Sequence, residues 1–147
     1  MTYKEIQEDL FLLENEYYLA HCISADFKLG AGIAVEFDRR YNMAAILHTY
    51  FPNYLKEFKD GDIGGSCILY GNVFNLITKN RYWEKPTNIT MYKALLAMKD
   101  LCLKNNIKRL AMPKIGCGLD KLKWEDVSKL IQGVFKDTDI EIVVCKR

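Results

Sequence analysis

Histidine is scarce in this chain. There are two, His21 and His48, and neither has a histidine or cysteine partner at metal-ligand spacing. A zinc centre is therefore not expected. The five cysteines, Cys22, Cys67, Cys102, Cys117 and Cys145, form no C-x-x-C pair, and their odd number fits no disulfide framework. Cys22, Cys67, Cys102 and Cys145 read as small, buried apolar residues. No apolar run approaches the roughly 20 residues of a membrane-spanning helix, and "MTYKEIQEDLF" lacks the basic and apolar regions of a signal peptide. A cytoplasmic, monomeric protein that does not touch membranes is expected. No block of like charge is present either, since 21 Lys and Arg face 19 Asp and Glu for a net +2. A dedicated nucleic-acid binder usually concentrates its basic residues on one face, which weighs against that class but not against a small polyanionic ligand.

What is present is an ordinary globular composition, 50% hydrophobic and 27% charged. The 147 residues suffice for one domain with its own core. "YYLAHCIS" (17–24) reads as a buried strand, and "ADFKLGAG" breaks it with two glycines. "GIAVEFDRRYNMAAILHTYF" predicts one or two helices, ended by Pro52. "FKDGDIGG" is a turn-rich connection. "SCILYG" and "NVFNLITK" flank Gly71-Asn72 and predict a hairpin. A helix follows over "TNITMYKALLAMKDLCLKNN", then a strand in "IKRLAMPKI", a helix in "KWEDVSKLIQGVFKD" and a closing strand in "DIEIVVCK". Strands alternating with helices predict an α/β layer fold around a largely parallel sheet.

Ligands in such sheets sit beyond the carboxyl ends of the strands. Both glycine-containing loops, "KLGAG" and "KIGCGL", lie at such ends. Glycine permits close backbone approach and positive φ, and a loop feeding a helix directs N–H groups at an anion. Neither loop is a dinucleotide fingerprint, because no third glycine falls at the required spacing. As a pair they suggest a phosphate cradle.

"AHCISADFKLGAGIA", "LITK" and "MPKIGCGLDKLKWEDVS" together resemble the macro domain of the terminal ADP-ribose protein glycohydrolase family, over nearly the whole chain. Only residues 42–65 match nothing in particular. The resemblance implies an α/β macro domain, residues 1–147, with a mixed, largely parallel sheet between helices and a cleft for ADP-ribose. It implies that Asp9 accepts from the adenine amino group while Leu10 lines the base. Ser24 would end the strand before the first loop, and Lys28, Leu29, Gly30, Ala31 and Gly32 would meet the distal ribose and diphosphate. Lys114, Ile115, Gly116, Cys117, Gly118 and Leu119 would present backbone N–H groups to phosphate. Some members close the last strand with an aromatic residue near the adenine. This chain has Cys145 there, so Arg147 or a nearby tyrosine is expected to cover the base. Lys79 and Asp120 match the family's catalytic lysine and aspartate. No cofactor and no metal are implied.

By itself, Lys79 at the end of "NVFNLITK" also fits a solvated strand-end lysine, and Asp120 also fits a helix N-cap. Read as a catalytic pair, a neutral Lys79 would attack the distal ribose and Asp120 would serve as acid and base. The expected substrates are ADP-ribosylated proteins, modified on glutamate or aspartate, and O-acyl-ADP-ribose. The alternatives are a non-catalytic ADP-ribose-binding module and a hydrolase of ADP-ribosylated DNA, nucleic acid entering only as modified substrate. A cysteine hydrolase built on Cys117 would need His21 or His48 as its base.

Overall fold

A computed structural model describes residues 1–60 and 65–146, the side chains of 59 and 60 excepted. Arg147, expected near the adenine, lies outside the described residues. The chain runs β1 (Thr2–Gln7), a 3-10 turn (Leu10–Leu13), β2 (Tyr18–Ser24), α1 (Ile33–Tyr41), α2 (Met43–Tyr50), α3 (Tyr54–Asp60), β3 (Ser66–Tyr70), β4 (Val73–Lys79), α4 (Asn88–Lys104), β5 (Arg109–Met112), α5 (Trp124–Phe135) and β6 (Glu141–Lys146). The six strands form one sheet in the order β1-β6-β5-β2-β4-β3. All neighbours are parallel except β3, which pairs antiparallel with β4 through the expected hairpin.

The central strands read as continuous apolar runs because both sheet faces are covered. Alternate residues divide between two cores. Leu19, Ile23, Ile77, Ala111 and Val143 face one layer, where Phe37, Met43 and Leu47 of α1 and α2 pack. Ala20, Leu76, Leu110, Ile142 and Val144 face the other, against Met91, Leu95 and Met98 of α4 and Val127 and Ile131 of α5. The period-2 division follows from the pleat.

Two elements were not expected. β1 reads "TYKEIQ", polar and charged, because it is an edge strand beside β6 with its residues only partly buried. α3 follows Pro52, in a stretch with no helical periodicity of its own, and it is anchored through Phe58, which is 8% exposed. The region after Gly32 forms two helices, broken where Asn42 takes a left-handed conformation with φ of 54°.

Because β5, β2 and β4 are adjacent and parallel, their carboxyl ends share one edge of the sheet. The chain leaves β2 for helices on one face and leaves β5 for α5 on the other. That divergence opens a crevice between the two connections. The carboxyl ends of β1 and β6 continue the same edge toward Asp9 and Cys145.

Candidate active site

The first loop, residues 25–32, is stitched to the end of β4. Ala25 N donates to Lys79 O at 2.9 Å, and Asp26 N to Asn80 O at 3.1 Å. The Asp26 carboxylate organises the turn, accepting from Ser24 Oγ at 2.5 Å, Lys28 N at 3.2 Å and Tyr82 N at 3.0 Å. Phe27 and Leu29 have positive φ of 55° and 43° and are buried to 2% and 6% exposure. Burying both side chains offsets the strain of the left-handed backbone. Their inward turn leaves Lys28, Gly30, Ala31 and Gly32 facing solvent. Gly32 has φ 62° and ψ −149°, a conformation open in practice to glycine alone, and it delivers the chain into α1.

The second loop, residues 113–123, is anchored by Ile115 at 2% exposure and folds back through Leu122 N to Gly116 O at 2.8 Å. Gly116 has φ of 75°, and a Cβ there would lie 2.7 Å from Met91 Cε. Gly118 faces open space, with nothing within 4 Å of such a Cβ. The two loops approach each other: a Cβ on Gly32 would meet Leu119 Cδ1 at 3.9 Å. Lys85 Nζ donates to Leu119 O at 2.8 Å and holds the second loop from the far side.

Where the loops meet, Lys79 Nζ lies 2.6 Å from Asp120 Oδ1, with the side chains 13% and 17% exposed. The pair joins the end of β4 to the loop after β5. Asp120 is not a helix N-cap. That position falls to Lys123, which makes no side-chain capping bond. Lys79 is not a solvated strand-end lysine either. Such a partly buried amine and carboxylate in direct contact can pass a proton between them without an intervening water.

At the other end of the edge, Asp9 begins the 3-10 turn and accepts from Phe11 N at 3.1 Å. It lines a shallow depression with Gln7, Glu8, Leu12 and Lys146. Leu10 is 4% exposed and packs into the core beneath it. Cys145 is buried nearby, its thiol pushed up to about 11 by burial and by Glu8 and Asp9. Cys22 and Cys67 are only partly buried, whereas Cys102 is fully so.

Among the described residues, nothing in the surroundings of Cys117 activates it as a nucleophile. Burial raises the Cys117 thiol, and its Sγ is engaged with Ile115 O at 3.4 Å. His21 is fully buried, stacked on Phe37 at 3.8 Å with Nε2 2.7 Å from Asn75 Oδ1. Burial lowers its pKa to about 4, so it is a neutral core residue. His48 packs on Phe27. Among the described residues no His, Cys, Asp and Glu cluster is placed to hold a metal ion, and no helix is long and apolar enough to cross a membrane.

Sequence reasoning did not find Asp26, Tyr82 or Lys85. An aspartate two residues after the strand-ending Ser24 is a turn-forming signal. Lys85 carried no signal, because its partner is a carbonyl 34 residues away.

A mixed sheet between two helical layers, with two facing loops and a lysine–aspartate contact at its carboxyl edge, defines an α/β domain whose candidate site lies at that edge. The chain belongs to the macro domain family, whose model matches residues 20–131. It is 42% identical over 139 residues to the human ADP-ribose glycohydrolase OARD1, covering 95% of this chain and 88% of that protein. It is 28% identical over 127 residues to the DNA ADP-ribosyl glycohydrolase of Mycobacterium tuberculosis, covering 79% of this chain and 34% of that protein. The solved macrodomain of M. tuberculosis DarG shares the fold, with a TM-score of 0.75 at 23% identity over 98% of this chain and 97% of that one.

Proposed function

We propose that this protein is an ADP-ribosyl-acceptor hydrolase. It releases ADP-ribose from ester-linked glutamate or aspartate of modified proteins and deacylates O-acyl-ADP-ribose. The observation that carries the reading is the 2.6 Å contact of Lys79 Nζ with Asp120 Oδ1 between the two loops. A binding module needs the loops but not that pair. Similarity to a protein named as an ADP-ribose glycohydrolase supports the same reading.

ADP-ribose lies along the sheet edge. Asp9 takes the adenine amino group beside Leu10. N–H groups of Lys114 to Leu119 hold the diphosphate, and Lys28 to Gly32 close on the distal ribose behind Ser24. A charged ammonium cannot attack carbon, and a neighbouring carboxylate favours the charged form. The direct hydrogen bond resolves the conflict, because Asp120 takes the proton as substrate displaces water. Neutral Nζ then bonds to the anomeric carbon, and the C–O bond to the acyl group breaks, its electron pair leaving with the acceptor carboxylate. The adduct nitrogen loses a proton to solvent and its lone pair opens the ribose ring, Asp120 returning its proton to the ring oxygen. Water adds to the resulting C=N carbon, with Asp120 accepting its proton. Collapse frees Lys79 and ADP-ribose, with one water consumed.

Lys79→Ala should cut turnover at least about 100-fold while ADP-ribose still binds. Lys79→Arg should fail equally, because guanidinium stays protonated. Asp120→Ala should slow the attack, because solvent must then take the lysine proton, and leave the adduct that does form unresolved, seen by intact-protein mass spectrometry as one added ADP-ribosyl group and absent from the double variant. Full activity of Lys79→Ala overturns the lysine mechanism. A wild-type protein that binds ADP-ribose but turns over no ester is a reader instead. Turnover confined to ADP-ribosylated DNA would assign the activity of the mycobacterial relative.

A further inference from the structure

Two large aromatic rings stand exposed beside the cleft, Tyr82 at 54% and Trp83 at 64%. They pack edge to face, 5.2 Å apart and 89° inclined. Each carries a cation on one face: Lys28 Nζ lies 5.7 Å from the Tyr82 centroid, and the Arg81 guanidinium 5.7 Å from that of Trp83. The segment is held to both loops, through Tyr82 N on Asp26 and Lys85 on Leu119 O, one residue from Asp120. It therefore borders the place where the group attached to the distal ribose must emerge. The acids of the first loop and of this segment are engaged by backbone N–H groups. Asp26 accepts from backbone N–H groups of Lys28 and Tyr82, and Glu84 Oε1 accepts from Arg81 N at 2.7 Å. What faces outward is aromatic and positive. A shallow depression lined by Pro52, Asn53, Leu55, Lys56 and Arg81 extends this surface away from the cleft.

We propose that Arg81, Tyr82 and Trp83, with Lys28, form the acceptor-recognition surface of this enzyme, taking a polypeptide whose ADP-ribosylated carboxylate lies among further acidic side chains. The inference rests on the hydrolase reading and names the substrate class of that site. A cation stacked on an aromatic face keeps its donors oriented outward, ready for carboxylates. The same surface suits single-stranded nucleic acid less well. Successive bases stack on near-parallel rings, whereas these are perpendicular, and a cation already occupies one face of each.

The test compares kcat/KM of wild type, Trp83→Ala and Arg81→Gln on four substrates: O-acetyl-ADP-ribose, a glutamate-rich peptide with one ADP-ribosylated glutamate, the same peptide with its other glutamates replaced by glutamine, and ADP-ribosylated single-stranded DNA. Both variants should lose about tenfold on the acidic peptide, chiefly through KM, and nothing on O-acetyl-ADP-ribose. Wild type should be about tenfold slower on the glutamine peptide, and the gap should shrink in high salt. Equal wild-type rates on the two peptides, or losses confined to the DNA substrate, overturn the proposal while leaving the hydrolase standing. No turnover of any ester by wild type overturns both.

Discussion

Gly116 and Gly118 stand two residues apart in the second loop and are needed for different reasons. Gly116 combines a positive φ with a Cβ direction blocked by Met91 and by Leu122, whose Cδ1 would lie 3.0 Å away. Gly116→Ala should lower unfolding free energy by roughly 1–3 kcal/mol, read from urea denaturation, and an unchanged midpoint would refute the packing argument. Gly118 has open space on its Cβ side. Gly118→Val should leave stability within about 0.5 kcal/mol of wild type yet weaken ADP-ribose binding about tenfold or more, because its methyls project where the diphosphate is proposed to lie. Titration calorimetry finding equal affinity would move the ligand elsewhere. At this scale the sequence was legible in its glycines, Lys79 and Asp120. It was not legible in Asp26, whose three hydrogen bonds bring two distant segments together.

Among the elements, α4 is the one whose sequence specifies it most completely. Pro86 precedes a capping box in which Thr87 Oγ1 accepts from Thr90 N at 3.1 Å and Thr90 Oγ1 from Thr87 N at 3.0 Å. Met91, Leu95, Met98 and Cys102 then form one buried stripe. Thr87→Ala should cost about 1 kcal/mol of stability. A chemical-denaturation curve superimposable on wild type would show the cap to be dispensable. β1 sits at the other extreme. Its alternation is masked by Lys4, Glu5 and Gln7, which an edge strand tolerates and a central strand would not. α3 has too short a stripe to announce itself, and its helix depends on Phe58 reaching the core that also holds Phe27 and Leu47.

For the molecule as a whole, a ligand spanning the sheet edge from Asp9 to Lys79 touches the ends of most parallel strands and both loops. It should bind the folded chain alone. At about 100 times its Kd, ADP-ribose should add roughly 2.7 kcal/mol, which for a chain of this size raises Tm by about 5–10 °C. Gly118→Val should lose most of that shift at the same ligand concentration. No shift for wild type, in differential scanning fluorimetry, would leave the proposed cleft without its ligand.

The sequence by itself determined the alternation of strands and helices, the hairpin at Gly71, the positions of both glycine loops and the identity of the residues at their tips. These follow from local periods and from the backbone freedom of glycine, which need no distant partner. Only the tertiary structure decided that β5, β2 and β4 lie side by side. That arrangement carries Asp120 to within 2.6 Å of Lys79 across 41 residues of sequence. It also buried His21, which lowers its pKa to about 4, and partly buried Cys117, which raises its thiol. Burial and pairing across a sheet are sums over residues remote in the chain, and no local pattern carries them.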